Sequence, residues 1–368
     1  MQTTPKNKNS PAIFSHTGLR GIAALYVFLF HLIINRHGDL FLSFGSYAVD
    51  LFFILSGFIL NWVYLSQSLQ MNWSSFLWAR IARITPLYYL TMVLSLPIII
   101  YSLTKYGHTY EHFYFPRDLV LNMFLLSGVL GGYKHTIVLS AWSVSVEFFC
   151  YLVVFPRLVF LNRFLMAKPY ARLASAVLSF ASTLGLVACY GLTPMPIWHW
   201  QWDPCWLMRG VFGFTTGFFL CSIHRNPIGW KPGVGVVNLV FLVAIVLLFF
   251  TAFKLIPAYM VLWTLPCIVF FSATDLGLGA RLLKTKPFQW LGERSYSIYL
   301  WHLLFLGPYT HFLQSHLTPL GFGLVVMVLV LATSEISYHY YECPLREYIR
   351  KIPIYFRLPV LLGGTPKR

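Results

Sequence analysis

The sequence predicts an all-α membrane protein built as a bundle of about ten helices. Of its 368 residues, 58% are hydrophobic and only 10% are charged, whereas soluble domains carry about 25% charged residues. Apolar runs of near 20 residues recur along the chain, which is the length that crosses the hydrocarbon core of a bilayer. Basic residues are also distributed unequally between the segments that join these runs, as expected for a multi-pass membrane protein.

The apolar runs define ten predicted spans. They lie at about 12–35, 46–66, 85–104, 138–156, 173–193, 205–221, 234–253, 256–274, 295–315 and 320–341. A further apolar run at 119–130 is too short to cross comfortably, and we interpret it as re-entrant or interfacial. No cleavage-site pattern precedes the first span, so we expect that span to be retained. Pro86 and Pro344 are predicted to mark the start of the third span and the end of the tenth.

The basic residues orient these spans. With a cytoplasmic N-terminus, the inner segments hold 20 of the 27 Lys and Arg residues and the outer segments hold five. The bias of cytoplasmic loops toward Lys and Arg therefore places both termini in the cytoplasm. We divide the chain into an N-terminal tail (1–11), a transmembrane domain (12–347) and a basic C-terminal tail (348–368). The net charge of +16 then reflects membrane topology and does not indicate a nucleic-acid partner.

The first span carries Arg20 and His31. Eleven residues correspond to about three turns and about 16 Å of helix, so both side chains share one face. Charged and titratable groups inside a membrane are costly and mark functional sites; the alternative is that the two side chains reach the two membrane interfaces. No metal site is predicted, because the six cysteines show no ligand spacing.

The second span carries Asp50 near its outer end, at a depth similar to that of His31 in the predicted topology. A carboxylate beside an imidazole fixes its tautomer and raises its basicity, so we predict that Asp50 orients His31. The alternative is an aspartate that complements a helix N-terminus. The small pair Ser56-Gly57 follows, and it favours close helix packing.

Arg80 and Arg83 are spaced i, i+3 at the predicted cytoplasmic boundary. Guanidinium groups bind phosphate in a bidentate manner, so the pair suits a phosphorylated cytosolic ligand. The alternative is ordinary positive-inside charge or contact with lipid headgroups.

The fourth span carries Ser143 and Glu147 on one helix face. A carboxylate within an apolar span must be protonated or paired, and Arg20 and Arg209 are the candidate partners; a purely structural ion pair is the alternative. Arg209 lies near the predicted outer side of the sixth span, as a ligand group or as a residue that reaches the interface.

The ninth span begins Ser295-Tyr296-Ser297-Ile298-Tyr299-Leu300-Trp301-His302. His302 lies near mid-depth, where it is either functional or a satisfied histidine of the bundle core, and Tyr299 suits packing equally well. The tenth span carries Glu335 at depth. This inventory of intramembrane polar residues fits both transporters and membrane enzymes.

Taken in order, these segments resemble the acyltransferase 3 family of integral-membrane acyltransferases, from about residue 14 to 347. The matching segments are Gly18–Ala24 with His31, Val49–Phe58, Arg80–Ile84 with Pro86 and Tyr88, Trp142-Ser143 with Glu147, Ser295–His302, and Glu342 with Pro344. The resemblance implies a ten-helix bundle that transfers an acyl group, commonly acetyl, from cytosolic acyl-CoA to hydroxyl groups of carbohydrates or other acceptors. It also implies that Arg20 and His31 are the essential pair. Because the chain stops at 368, we expect it to lack the extracellular hydrolase-like domain of some relatives.

The hypothesis is therefore an O-acyltransferase of the bacterial cytoplasmic membrane, embedded in lipid, with acetyl-CoA as donor and an envelope carbohydrate or lipid-linked glycan as acceptor. His31 acts as general base, or carries the acyl group covalently, with Arg20 or the Trp142 N–H stabilising the oxyanion. Arg80 and Arg83 bind the donor phosphates. The catalytic set includes Asp50 and Glu147, and the further donor-binding candidates are Trp142, Ser143, Arg209, Tyr299 and His302. The alternatives are a proton-coupled transporter or flippase and a structural partner in a polysaccharide complex.

Overall fold

The computed structural model describes residues 12–37, 45–65, 71–106, 116–131, 136–191, 204–225, 232–253, 255–306, 313 and 316–352. The described residues form helices and no strands, so the all-α prediction is confirmed. The predicted N-terminal tail and most of the predicted C-terminal tail lie outside these residues.

Fifteen α-helices make up the described part of the chain. They are α1 (Phe14–His37), α2 (Gly45–Tyr64), α3 (Trp73–Tyr106), α4 (Arg117–Met123), α5 (Trp142–Phe149), α6 (Phe155–Met166), α7 (Ala171–Gly191), α8 (Pro204–Arg225), α9 (Val234–Ala252), α10 (Thr264–Ser272), α11 (Gly277–Leu283), α12 (Lys286–Glu293), α13 (Ser295–Leu306), α14 (Pro319–Ser337) and α15 (Cys343–Lys351). Three π-helical turns (Ser127–Gly131, Cys150–Val154 and Tyr338–Glu342) and two 3₁₀ turns (Leu139–Ala141 and Ala258–Trp263) complete the described elements.

Seven helical segments of the described chain are long and apolar enough to cross a membrane, and an eighth is a helix pair bent by 80°. This bent pair, Tyr259–Ser272 with Gly277–Leu283, covers the predicted span at 256–274. Helices α1 and α13, which were predicted as spans, are not among the eight. The chain is thus an integral membrane protein, while the count of ten spans and the cytoplasmic placement of the termini stay predictions.

Two prolines do not act as predicted. Helix α3 begins at Trp73 and continues through both Pro86 and Pro97, so the predicted break at Pro86 is wrong. Neighbouring hydroxyl groups bind the backbone around it: Thr85 donates to the Ile81 carbonyl at 2.9 Å and Tyr296 to the Ile84 carbonyl at 2.7 Å. Membrane helices tolerate an interior proline, and these two hydroxyl groups add hydrogen bonds to the backbone that precedes it.

The second of these prolines, Pro344, lies in the first turn of α15. A proline needs no backbone N–H at this position, so the helical path continues where an end was predicted. Residues 343–351 consequently form a helix that includes the first part of the predicted C-terminal tail.

The segment around 119–130 contains two short helical pieces, in agreement with the prediction that it does not cross the membrane as one helix. Helix α4 ends before Leu125, which has a φ of 55°, and the π-helical turn Ser127–Gly131 follows. The hydroxyl groups of Ser127 and Ser145 lie 3.1 Å apart, so the turn packs against α5.

Helices α2 and α8 cross in close contact at glycines. A Cβ atom added at Gly57 would overlap the Phe214 carbonyl, and one added at Gly217 would overlap the Ile54 carbonyl. The predicted packing role of Gly57 is therefore confirmed, because only glycine lets the two backbones approach so closely. Asn61 also stabilises this interface, since its amide donates to the Phe218 carbonyl at 2.7 Å and to Ser222 Oγ at 2.9 Å.

We expect Gly217→Val to destabilise the protein by about 1–3 kcal/mol, because the side chain forces two packed backbones apart. The matched control is Gly235→Val in α9, where an added Cβ meets no atom within 4 Å. Thermal unfolding in detergent measures both variants. Equal unfolding midpoints for the two variants would contradict the packing argument.

Candidate active site

His31 and His302 meet inside the bundle. Helices α1 and α13 pack together through Ala24, Phe28 and Ile298. Further along, His31 Nδ1 lies 3.2 Å from His302 Nε2, with ring centroids 5.0 Å apart. His302 is fully buried, and its contact with His31 was not predicted.

The backbone fixes the tautomers of both rings. Nδ1 of His302 lies 2.7 Å from the Tyr299 carbonyl, and Nδ1 of His31 lies 2.9 Å from the Val27 carbonyl. A carbonyl oxygen only accepts hydrogen bonds, so both Nδ1 atoms carry hydrogen and Nε2 of the neutral His302 ring is an acceptor. The lone pair of His31 is therefore on Nε2, which has no hydrogen-bond partner in the described part of the chain.

Tyr299 and Ser143, two of the predicted donor-binding candidates, continue this group. The ring of Tyr299 lies 5.7 Å from that of His302. Its hydroxyl lies 2.7 Å from Ser143 Oγ and donates to the Ser140 carbonyl at 2.8 Å. Four polar side chains from α1, α5 and α13 thus converge at one end of the bundle, and we call His31, His302, Tyr299 and Ser143 the histidine cluster.

A second polar group lies at the other end of α1, around Arg20 and Arg83. Arg20 is within electrostatic range of Arg83, Glu147, Tyr151 and Glu342. Among the described residues, neither Arg20 nor Arg83 forms a hydrogen bond or an ion pair. Two guanidinium groups therefore face the same interior region with their donors unused, which is favourable for binding an anion.

The carboxylates of this region are held by hydroxyl groups. Ser56 and Tyr151 both donate to Glu147 Oε1, Tyr151 at 2.5 Å, and Ser297 donates to Glu342 Oε2 at 2.8 Å. Of the two predicted cation partners of Glu147, Arg20 is in electrostatic range, whereas Arg209 belongs to a different cluster described below. Ser56 is thus a hydrogen-bond donor to Glu147, a role that the small-residue packing motif did not indicate.

Arg80 lies beside this group, enclosed by aromatic rings. It donates to the Tyr64 hydroxyl at 3.3 Å, and its guanidinium carbon lies 5.7 to 5.9 Å from the ring centroids of Tyr64, Phe76 and Tyr151. Such cation–π contacts orient a guanidinium while leaving its edge available. We call Arg20, Arg80, Arg83, Glu147 and Glu342 the arginine cluster.

Asp50 does not orient His31, which corrects the prediction. Arg209 binds Asp50 through Nε to Oδ1 at 3.1 Å and through a terminal nitrogen to Oδ2 at 3.0 Å, and Tyr190 donates to Oδ2 at 2.5 Å. A guanidinium offers two parallel donors with a charge, so it outcompetes an imidazole for a buried carboxylate. The rings of Trp142, Tyr190 and Trp206 surround Arg209 at 4.6 to 5.5 Å.

This ion pair is far from the arginine cluster. Asp50 and Tyr64 are fourteen residues apart on α2, which is about 21 Å along the helix, and Tyr64 contacts Arg80. The structure therefore separates two of the predicted donor-binding residues, Trp142 and Arg209, from Arg80 and Arg83. It places them at the same end as the histidine cluster, since Phe30 packs against Gly45 at the start of α2.

The two clusters suit different chemistry. The histidine cluster offers one imidazole lone pair held in a fixed direction, which can take a proton from a hydroxyl group. The arginine cluster offers cations that can bind phosphate groups. Four residues of these groups had no individual role predicted from the sequence: Tyr151, Ser297, Glu342 and Tyr190. Two of them had a signal, because Ser297 lies in the segment Ser295–His302 and Glu342 in the motif with Pro344.

The family model described as "Acyltransferase domain" matches residues 15–339. The chain is 26% identical over 366 residues to the putative peptidoglycan O-acetyltransferase YrhL of Bacillus subtilis, covering 89% of this chain and 54% of that protein. It is 30% identical over 319 residues to the acyltransferase MdmB of Streptomyces mycarofaciens, covering 79% of this chain and 78% of that protein.

A third relative is the peptidoglycan O-acetyltransferase OatA of Listeria monocytogenes, which is 23% identical over 366 residues, with 90% of this chain and 55% of that protein covered. The chain thus spans about half the length of the Bacillus and Listeria relatives. No solved structure matches the chain.

Proposed function

Because the chain belongs to the acyltransferase 3 family of membrane acyltransferases, we propose that it is an O-acetyltransferase that moves an acetyl group from acetyl-CoA to a hydroxyl group of an envelope carbohydrate. The observation that carries this proposal is the His31–His302 contact, which leaves His31 Nε2 unprotonated and without a partner in the described chain. The names of the Bacillus and Listeria relatives support a peptidoglycan or related glycan as acceptor.

The arginine cluster supports a donor that carries phosphate groups. Arg20 and Arg83 have no hydrogen-bond or ion-pair partner within the described residues, and Arg80 is oriented by three rings. Acyl-CoA bears its phosphates at one end of a long flexible arm and its thioester at the other. A donor bound by Arg80 and Arg83 would extend along the about 16 Å of α1 between Arg20 and His31.

The chemical step needs no acid–base group other than His31. Nε2 takes the proton of the acceptor hydroxyl while the hydroxyl oxygen bonds to the thioester carbonyl carbon. The tetrahedral intermediate then collapses, the carbon–sulfur bond breaks, and Nε2–H returns the proton to the leaving thiolate. His302 positions the His31 ring and accepts from its Nδ1–H, so it stabilises the imidazolium that forms between the two steps.

We expect His302→Ala to lower the rate constant for transfer by up to about 10²-fold, because the His31 ring loses its orienting contact. His302→Gln places a side-chain acceptor near the position of Nε2 and should recover part of that loss. Steady-state kinetics with purified enzyme measure both variants. Wild-type rates in His302→Ala, with normal folding, would remove His302 from the proposed mechanism.

The function is tested by mass spectrometry of envelope glycans from cells with and without the protein. The expected result is a glycan species heavier by one acetyl ester, and deuterated acetyl-CoA supplied to inside-out membrane vesicles should label the same species. A wild-type protein that leaves all glycans unchanged and does not transfer deuterated acetyl would overturn the proposal. Transport of an unmodified glycan by the same vesicles would instead favour the transporter hypothesis.

A further inference from the structure

The C-terminal helix α15 brings two more arginines to the arginine cluster. Arg346 and Arg350 are spaced i, i+4 and therefore share one face of α15. The helix is fixed against α3, since Trp78 Nε1 donates to the Ile349 carbonyl at 2.6 Å. Arg350 is within electrostatic range of Arg346, Arg80 and Arg83, so helices α3 and α15 present four guanidinium groups to a common region.

Arg346 has only weak partners among the described residues. One terminal nitrogen donates to Cys343 Sγ at 3.3 Å, and sulfur is a weak acceptor. The other lies 3.9 Å from Glu342 Oε1, which is longer than a hydrogen bond, and Glu342 already accepts from Ser297. In the described part of the chain, the buried Nε atoms of Arg346 and Arg80 have no hydrogen-bond partner. Buried donors are nearly always satisfied in native proteins, so these two atoms indicate a missing acceptor.

Like charges at this spacing oppose one another. Two cations at i, i+4 on a helix destabilise it, and Arg80 and Arg83 add to the repulsion. A bound polyanion relieves that repulsion and supplies acceptors for the unused N–H groups at the same time. The arrangement is therefore that of a receptor for several phosphate groups held close together.

We propose that α15 completes the donor site, with Arg346 and Arg350 joining Arg80 and Arg83 to bind the diphosphate and the 3′-phosphate of acyl-CoA. The inference rests on the proposed function and extends it from two cations on α3 to four cations on two helices. It makes the site selective for the 3′-phosphorylated nucleotide over donors that lack this phosphate. The same phosphate chemistry is present in anionic lipid headgroups, so the test separates the two sources.

Binding of CoA, 3′-dephospho-CoA and pantetheine is measured with full-length protein in nanodiscs of zwitterionic lipid. We expect Arg346→Gln and Arg350→Gln each to weaken CoA binding by about tenfold, to weaken 3′-dephospho-CoA less, and to leave pantetheine unchanged. In transfer assays the KM for acetyl-CoA should rise while kcat at saturating donor stays the same. The control is Lys351→Gln, an exposed cation on the same helix, which should leave CoA binding unchanged.

The double variant Arg346→Lys with Arg350→Lys keeps both charges and controls for a folding defect. It should bind CoA with intermediate affinity, because lysine lacks the planar guanidinium group. CoA binding by the glutamine variants equal to that of the wild type would overturn this inference alone. A wild type that binds no CoA would overturn the proposed donor as well. Variants that differ from the wild type only after anionic lipid is added would overturn the inference in favour of a lipid headgroup site.

Discussion

Replacing His31 with alanine is expected to lower the rate constant for acetyl transfer by about 10²–10⁴-fold, the range that a positioned general base contributes. The reason is that Nε2 of His31 is the one nitrogen of the histidine pair with a free lone pair in the described chain. CoA binding should stay within about threefold of the wild type, because the arginines that we assign to the phosphates belong to the group around Arg20, which lies about 16 Å from His31 along α1. Single-turnover assays with purified protein separate the two quantities.

The matched control for this experiment is His316→Ala, which removes an exposed histidine and should leave transfer unchanged. His31→Gln adds a second test, because the glutamine amide reaches the position of Nε2 but cannot take a proton. A His31→Gln variant as slow as His31→Ala supports proton abstraction. Activity close to that of the wild type in either variant would rule out His31 as the base.

The second large effect is expected for Asp50→Asn, which should lower the free energy of unfolding by about 3–5 kcal/mol. The substitution leaves the buried Arg209 guanidinium without a charged partner, and both members of the pair are almost fully inaccessible, at 6% and 0% side-chain exposure. Thermal unfolding in detergent should therefore shift to a clearly lower midpoint. Transfer at a temperature where the variant is folded should change little, because Asp50 contacts Arg209 and Tyr190.

The double replacement Asp50→Leu with Arg209→Leu is the control for Asp50→Asn. It removes both charges and should recover a large part of the lost stability, as apolar substitutes for buried ion pairs do. If Asp50→Asn abolished transfer at an unchanged unfolding midpoint, Asp50 would act in the chemistry, and our assignment of a structural role would be wrong.

The sequence was sufficient for the fold class and for several members of both clusters. The free-energy cost of placing an ionisable group in a membrane was enough to identify Arg20, His31 and Glu147 as candidates, because such groups in apolar spans are usually functional. The i, i+3 spacing of Arg80 and Arg83 likewise placed two cations on one helix face, on which the proposed phosphate site rests. In these cases the information is local, within one helix or between a residue and its apolar neighbours.

What the sequence could not predict are the pairings between helices. Asp50 and His31 are close in the chain and similar in depth, yet Asp50 pairs with Arg209, 159 residues away. His302 contacts His31 across 271 residues. Such choices depend on the rotation of each helix about its axis. A turn that departs from α-helical geometry changes that rotation and leaves little trace in hydrophobic periodicity.

The two π-helical turns next to the arginine cluster determine how the site responds to the deletion of a single residue. At Cys150–Val154 and Tyr338–Glu342 the following backbone N–H bonds the carbonyl five residues earlier, so each turn holds one residue more than an α-helix needs. Loss of a single codon from 338–341 would relax that turn into regular helix and leave Arg346 and Arg350 on the face of α15 that they now share, because the surplus residue is the one lost. Loss of a codon from the regular part of α14 has no surplus residue to absorb it and would rotate everything after it by about 100°. Two frame-preserving deletions a few codons apart would thus have opposite outcomes for the recognition surface, although neither removes a residue that forms it.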